Sequence, residues 1–303
     1  METIQDKMLE FGITPPTEIS YDGEVHRFKN DGDDNKNSWY VAYDNDKFKS
    51  GAFGCWKRNI KETFCSIDIT ELTSWQKRDY DKQREKLKSE MKSETARRNL
   101  CAKKTVQNRW VEASNKNLLD HPYLIKKQIE ALNVRIDQKS NLLIPMYDRF
   151  DELWNIQSIT PNGLKLFSKG AKVKHCFHPI GFLDTHPAQI ILCEGFATGM
   201  SIYQATQIPT VVCFNAGNLG SSAIIMRHKY PQADLIIAGD NDQFNRINTG
   251  TLKASFAAEF AQGRMVLPRF KDLSSKPTDF NDLYILEGRK AVNSQLAEFC
   301  YES

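Results

Sequence analysis

The stretch QIILCEGFATGMSIYQAT (Gln189–Thr206) decides the fold. An apolar run ends abruptly at Glu194 and Gly195, and a helix-like segment follows. The same grammar recurs twice downstream. TVVCFNAG (Thr210–Gly217) leads into NLGSSAIIMRHKY, ADLIIAGDND (Ala233–Asp242) leads into TGTLKASFAAEFAQG, and RMVLPRF (Arg264–Phe270) closes the series. Short β-branched runs alternating with helices need crossover connections, which predicts a parallel sheet with helices on its faces.

Ligands of an open parallel sheet collect beyond the carboxyl ends of its strands. Glu194 stands there on the first strand, and Asp240 and Asp242 on the third. If those strands are neighbours, three carboxylates meet in one small volume. Such a cluster is costly unless it binds a cation or shares a proton, and hard oxygen ligands suit Mg²⁺ or Mn²⁺. Helix capping is the competing reading for each acid taken singly. Gly195 and Gly239 leave room for a close approach of backbone or substrate. A further acidic element, KPTDFNDLY (Lys276–Tyr284), places Asp279 and Asp282 where a loop becomes a short helix, and metal binding competes there with N-capping.

Upstream, the chain divides into a β-rich module over 1–73, a charged helical arm over 74–117 and an α+β region over 118–186, before the α/β domain over 187–303. In the first part, turn signals frame WYVAYD (Trp39–Asp44) and GAFGCWK (Gly51–Lys57). Trp39, Tyr43, Phe53 and Trp56 are read as its core, with base stacking by one of them as the alternative. From Trp75 to Ser114 there is neither Gly nor Pro, which predicts one long or interrupted helix. Its basic portion, Arg97, Arg98, Lys103, Lys104 and Arg109, is either a solvated face or a phosphate-binding one. LLIPMYD (Leu142–Asp148), LWNIQSIT (Leu153–Thr160) and KLFS (Lys165–Ser168) read as an antiparallel meander.

A net charge of +3 over 303 residues means that any nucleic-acid surface is a local patch. The seven cysteines form no C-x-x-C pair, so a reduced, cytoplasmic chain without zinc is expected. His175 and His178 lack further ligands at zinc-like spacing. No apolar run is long enough to span a bilayer, and no secretory leader opens the sequence, so no membrane role is expected.

CEGFATG, the Asn215–Gly217 turn, AGDND and PTDFNDL together resemble the TOPRIM fold of bacterial-type primases, topoisomerases and some nucleases. Their wording is similar to primases of satellite phages and conjugative plasmids. HPYLIKKQI (His121–Ile129), LLIPMYD and LWNIQSITPNGLKLFSKG resemble the segment preceding TOPRIM in those proteins, and HRF (His26–Phe28), WYVAYD and GAFGCWK resemble their N-terminal module. The resemblance implies metal-dependent synthesis of short RNA primers on single-stranded DNA from ribonucleoside triphosphates, in a bacterial or phage-infected cytoplasm, beside a replicative helicase or replication initiator. It also implies Glu194 as the acid/base residue, Asp240 and Asp242 as metal holders, and Asp279 as an additional ligand.

Replicative primases carry a further acid where this chain has Thr198, and no zinc module or ATP-binding loop is present in the sequence. Lys253 is the expected phosphate contact, with Arg227, His228 and Lys229 as further basic candidates. Asn215 and Asn218 either orient a phosphate or template backbone or form a turn. Two other functions stay open at this level: a TOPRIM nuclease using the same acids, and a non-catalytic single-stranded-DNA-binding accessory protein.

Overall fold

The computed structural model describes residues 3–45, 48–58, 60–68, 70, 72–244 and 248–297. The chain forms two compact units, 1–94 and 95–303. Six cysteines are free thiols, and Cys300 lies outside the described residues. No helix among the described residues is long and apolar enough to cross a membrane.

The first unit opens with α1 (Ile4–Glu10), which Thr3 caps through a reciprocal capping box with Asp6. Strands β1 (His26–Phe28), β2 (Ser38–Asp44), β3 (Lys49–Cys55) and β4 (Ile60–Cys65) form an antiparallel sheet in the order β1-β2-β3-β4. The period-two pattern divides its side chains between two faces. Tyr40, Ala42, Phe53, Cys55 and Phe64 pack with Ile4 and Met8, while Trp39, Val41 and Ala52 pack with Leu87. Trp39 and Phe53 are therefore core, as the composition suggested. Trp56 is 44% exposed, with the Arg27 guanidinium 4.9 Å from its ring centre.

Leu87 belongs to α2 (Ser74–Glu112), the long helix that the absence of Gly and Pro predicted. The boundary between the two units falls inside it. In the second unit, Val106 and Trp110 of α2 pack with Leu143 and Ile156. Those two residues come from a meander: β5 (Arg135–Ile136), β6 (Leu142–Tyr147), β7 (Leu153–Ile159) and β8 (Lys165–Phe167), all antiparallel. The short helix α3 (Pro122–Lys127) precedes it, with Pro122 at the start and the His121 ring accepting the Tyr123 N–H.

The C-terminal region holds a five-stranded sheet in the order β13-β12-β10-β11-β9. Its elements in chain order are β9 (His178–Ile180), β10 (Gln189–Cys193), α4 (Phe196–Thr206), β11 (Thr210–Val212), α5 (Ala216–Lys229), β12 (Asp234–Ala238), α6 (Thr249–Phe260), β13 (Arg264–Val266) and α7 (Phe280–Ala297). Every pairing is parallel except that of β9 with β11. Alternation sends Ile191 and Cys193 into one core with Met200 of α4 and Leu283 of α7, and Ile190 and Leu192 into another with Leu219 of α5 and Ala257 of α6. The expected mixed α/β architecture with a mostly parallel C-terminal sheet is therefore present.

Gly199 shows how tightly α4 lies on the sheet. A Cβ there would stand 2.7 Å from Val212 Cγ2 and 3.1 Å from Cys193 Sγ, whereas one at Gly220 in α5 would meet nothing within 4 Å. Gly199→Ala is expected to lower stability by about 1–3 kcal/mol through overpacking. Gly220→Ala is expected to raise it by roughly 0.5–1 kcal/mol by restoring helix propensity. Chemical denaturation of the two variants side by side checks both signs.

Candidate active site

Parallel pairing in register, Cys193 against Ala238, makes β10 and β12 neighbours. Their carboxyl ends then deliver Glu194 and, two residues past β12, Asp240 to the same edge. Asp242 follows on the loop into α6, and its Oδ2 accepts the Gly250 N–H at 3.1 Å. Gly250 is required by this crowding, because a Cβ would lie 2.5 Å from the Asp240 carbonyl and 3.1 Å from Asp242 Oδ2. Asn248 caps α6 and also receives the Asp242 N–H at 3.0 Å. Asp279 stands just before α7. Its carboxylate accepts the Asp282 N–H at 2.8 Å and the Thr198 hydroxyl at 3.1 Å.

These acids raise one another's proton affinity. Burial first, and then Asp242, pushes Glu194 up to about 7, although the Ala216 N–H pulls the other way. Asp240 is pushed up to about 8 by burial and then by Glu194, Asp279 and Asp242, with Lys165 opposing. Burial and Asp282 raise Asp279 against the Asp282 N–H, Lys127 and Thr198. The three carboxylates inferred from sequence thus share one electrostatic volume with Asp279, as like charges in a half-buried site must.

Asp240 Oδ1 is buried without a hydrogen-bond partner. An uncompensated buried carboxylate oxygen is costly, and a set of carboxylate oxygens is the donor chemistry of a hard divalent cation. Among the described residues, no three His, Cys, Asp or Glu side chains are placed closely enough to hold an ion as they stand. Mg²⁺ needs only one or two carboxylates, its remaining positions being filled by water and substrate phosphates, so the donor set fits without a preassembled trio.

Three residues near the acids escaped the sequence reading. Lys165 lies on strand β8, where loss of water around its ammonium, and then Lys127, lowers its pKa against the pull of Asp279 and Asp240. Lys127 at the end of α3 comes within 4.0 Å of Asp282. Tyr123 is buried, its hydroxyl has no partner, and burial followed by Asp279 raises its pKa. Lys165 and Tyr123 lie within the quoted family-like segments, but nothing local marked them. Their relevance depends on the meander and α3 folding beside the sheet edge. Asn281 fixes that arrangement: its amide donates to the Lys127 carbonyl at 2.8 Å and to Ser201 Oγ at 2.9 Å.

Other expected contacts fall elsewhere. Asn218 is buried, and its side chain binds the Val173 and Cys176 carbonyls and the His175 N–H, so it holds a loop rather than facing a ligand. Asn215 caps α5. The Arg227 guanidinium donates to the carbonyls of Pro231, Ala233, Ala261 and Gln262, which makes it an internal staple. His228 and Lys229 close the last turn of α5, and Lys229 pairs with Asp151 at 2.9 Å. Lys253 is exposed in α6 and makes no ion pair with the acids among the described residues. Arg97, Arg98 and Lys104 are exposed on α2. Lys103 pairs with Glu152 at 2.9 Å, and Arg109 pairs with Asp137 at 2.6 Å. Gly195 and Gly239 differ in cause: a Cβ at Gly239 would stand 2.6 Å from Ala254, a helix contact, while at Gly195 it would only touch Thr198 at 3.4 Å.

Residues 189–290 match the family model described as "Toprim domain". This part of the chain is a Toprim domain. The chain is also similar in sequence to proteins described as DNA primase TraC of Escherichia coli. It is 35% identical over 157 residues to one such protein, covering 49% of this chain and 11% of the relative. It is 29% identical over 270 residues to another, covering 82% of this chain and 24% of the relative. The chain thus spans a quarter or less of the length of these curated relatives. Among solved structures it is similar to the DnaG primase catalytic domain bound to ssDNA, with TM-score 0.45 and 10% identity, covering 68% of this chain and 82% of that one. It is also similar to the primase fragment of the bacteriophage T7 primase-helicase protein, with TM-score 0.44 and 12% identity, covering 61% and 74%.

The raised acids of the Toprim domain make stability depend on pH in a definite direction. Between the unfolded value of 3.8 and the folded value of about 8, Asp240 holds its proton only in the folded state. The Asp240 contribution to folding stability in chelator is therefore full below about 4 and lost as pH rises through about 8. Thermal unfolding in EDTA is expected to show the midpoint falling over that window, with a flatter profile for Asp240→Asn. Added Mg²⁺ should raise the midpoint more at the alkaline end than at the acidic end.

Proposed function

We propose that this chain is the catalytic portion of a DNA primase, making short RNA primers on single-stranded DNA for the replication of a plasmid, phage or other mobile element in the bacterial cytoplasm. The observation that carries this reading is the in-register pairing that sets Glu194 against the Asp240 loop in a TraC-like chain. A bound Mg²⁺ or Mn²⁺ would supply neutralisation of triphosphate charge and a Lewis acid beside the departing pyrophosphate. Asp240, Asp242 and Asp279 are the residues to hold it.

The chain's own side chains account for the rest. Glu194, poised near neutrality, accepts the proton of the attacking 3′-hydroxyl in its ionised form, and a base tuned to the working pH is the efficient one. Lys165, facing Asp240 and Asp279, is placed to meet a phosphate oxygen that enters between them. Thr198 supports Asp279 by a hydrogen bond without adding another charge to the cluster. The exposed Arg97, Arg98 and Lys104 of α2 supply a sequence-independent contact to template phosphates. Substrates are single-stranded DNA and ribonucleoside triphosphates, and strand opening falls to a helicase or initiator.

Priming on mixed-sequence single-stranded DNA with labelled ribonucleotides tests the reading. Wild type is expected to give short products with Mg²⁺ or Mn²⁺. Glu194→Gln and the pair Asp240→Asn/Asp242→Asn are expected to lose at least about 10²-fold, the usual scale for removing general acid–base catalysis. Absence of products from wild type on every template, with DNA and metal binding intact, would overturn it. Lys165→Ala should cost on the order of tenfold in kcat/KM for the nucleotide, about 1.4 kcal/mol, and Lys165→Arg should recover part of that.

A further inference from the structure

The N-terminal unit contains a crevice of about 210 Å³ that the primase reading does not use. It lies between α2 and the sheet face opposite α1. Tyr80 and Leu87 of α2 are both buried against this unit, two helical turns apart. Gln83, midway between them, does not fill the gap. Its amide is instead tied into a polar triangle, donating to Asn45 Oδ1 at 2.6 Å and accepting from Ser50 Oγ at 3.1 Å, while Asn45 donates to Ser50 at 2.9 Å. Below it the sheet is small-featured: Ala52 lies between Val41 and Thr63 in register. The gap is thus a consequence of residue choice on both sides.

Its chemistry is of two kinds. Tyr43, Tyr80, Ala52, Leu87 and Met91 supply flat or apolar surface, and the Tyr43 hydroxyl is buried without a partner. Lys61, Arg84 and Lys88 stand at the rim with a single carboxylate, Glu85, so the rim is net positive. Arg84 and Lys88 make exposed helical ion pairs, 3.7 Å from Asp81 and 3.6 Å from Glu85, which hold such side chains weakly, and the Arg84 guanidinium lies 5.7 Å from the centre of the Tyr80 ring. The volume is below the roughly 300–1,000 Å³ of sites that enclose whole drug-sized ligands, and it suits one ring system with its polar extension outside. A planar ring with a hydrogen-bonding edge and an attached anion satisfies every feature: aromatic and apolar walls, an orphan hydroxyl and a cationic rim.

We propose that this crevice binds a nucleotide, its base between Tyr43, Ala52 and Thr63 of the sheet and Gln83 of α2, and its phosphate at Lys61, Arg84 and Lys88. The nucleotide is either a free triphosphate or one residue of a single strand, and the same chemistry recognises both. The site is separate from the acids of the Toprim domain and does not depend on their activity.

Binding to the full chain in EDTA tests this, with a fluorescent ATP analogue in one arm and a short fluorescein-labelled single-stranded oligodeoxynucleotide in the other. Thr63→Phe fills the crevice from an exposed position, and Tyr43→Phe removes only the hydroxyl. Lys61→Ala/Lys88→Ala removes rim charge. Thr63→Phe and the lysine pair are expected to weaken binding at least about tenfold, or ~1.4 kcal/mol, at an unchanged thermal midpoint. Photo-crosslinking with 8-azido-ATP should label the peptide carrying Tyr43 or Thr63. Loss in the ATP arm alone assigns a free nucleotide, and loss in the oligonucleotide arm alone assigns a strand residue. Wild-type affinity in all three variants, or crosslinks only outside 43–91, overturns the proposal. No primer synthesis enters the readout, so its outcome is independent of the catalytic reading.

Discussion

The registration of β10 against β12 is the constraint on which the rest depends. Past their first residues, Gln189 and Asp234, both strands are apolar because both faces of the sheet are covered, so no further charge appears until each leaves the sheet. The first polar side chains after burial ends are Glu194 and Asp240, and parallel pairing brings both chain exits to the same edge. Repulsion between them follows from the fold. Gly250, the Asn248 cap and the Thr198 bond to Asp279 then hold the surrounding loops against that repulsion.

The same constraint explains why the domain was legible. A strand buried on both faces reads as an unbroken apolar run, and an acid at the end of such a run has few structural reasons to be there. Glu194, Asp240 and Asp242 could therefore be singled out as candidates from one sequence. The other candidates, Lys165, Lys127 and Tyr123, could not, because their relevance is created by tertiary placement. Lys165 and Lys127 are ordinary lysines on a meander strand and a short helix. The shared core of Leu124, Ile144 and Met146 with Phe196, Phe280 and Leu283, together with the tether from Asn281 to the Lys127 carbonyl and Ser201, brings that region against the acids.

Asn218 and Arg227, for which ligand contact and a structural role were both open from sequence, are engaged for an equally specific reason. Asn218 and Arg227 look like ligand contacts because polar side chains near strand and helix ends often are. Each instead satisfies backbone carbonyls that the irregular segments 173–176, 231–233 and 261–262 leave without strand partners. Carbonyls carry no sequence signature, so a polar residue that serves them cannot be told from one awaiting a ligand. The unit boundary inside α2 was hidden for a related reason. The composition of that helix is nearly uniform, and only the packing of Leu87 on one side and Val106 on the other reveals that it belongs to both units.

The electrostatics of the acid cluster bear on how such a site works as well as on where it is. Two carboxylates pushed up to about 7 and about 8 are partly protonated near neutrality when no cation is present, which limits the repulsion the fold must bear. An arriving divalent charge favours the ionised forms, so its binding releases protons and its affinity rises with pH. Because the cluster is coupled, that release is a property of the group and not of one residue. Under the proposed function, ionisation of Glu194 as a base would be linked to occupation of the neighbouring oxygens by a cation. Substrate charge and the state of the proposed base would then be joined through ordinary Coulomb interaction, with no moving part required.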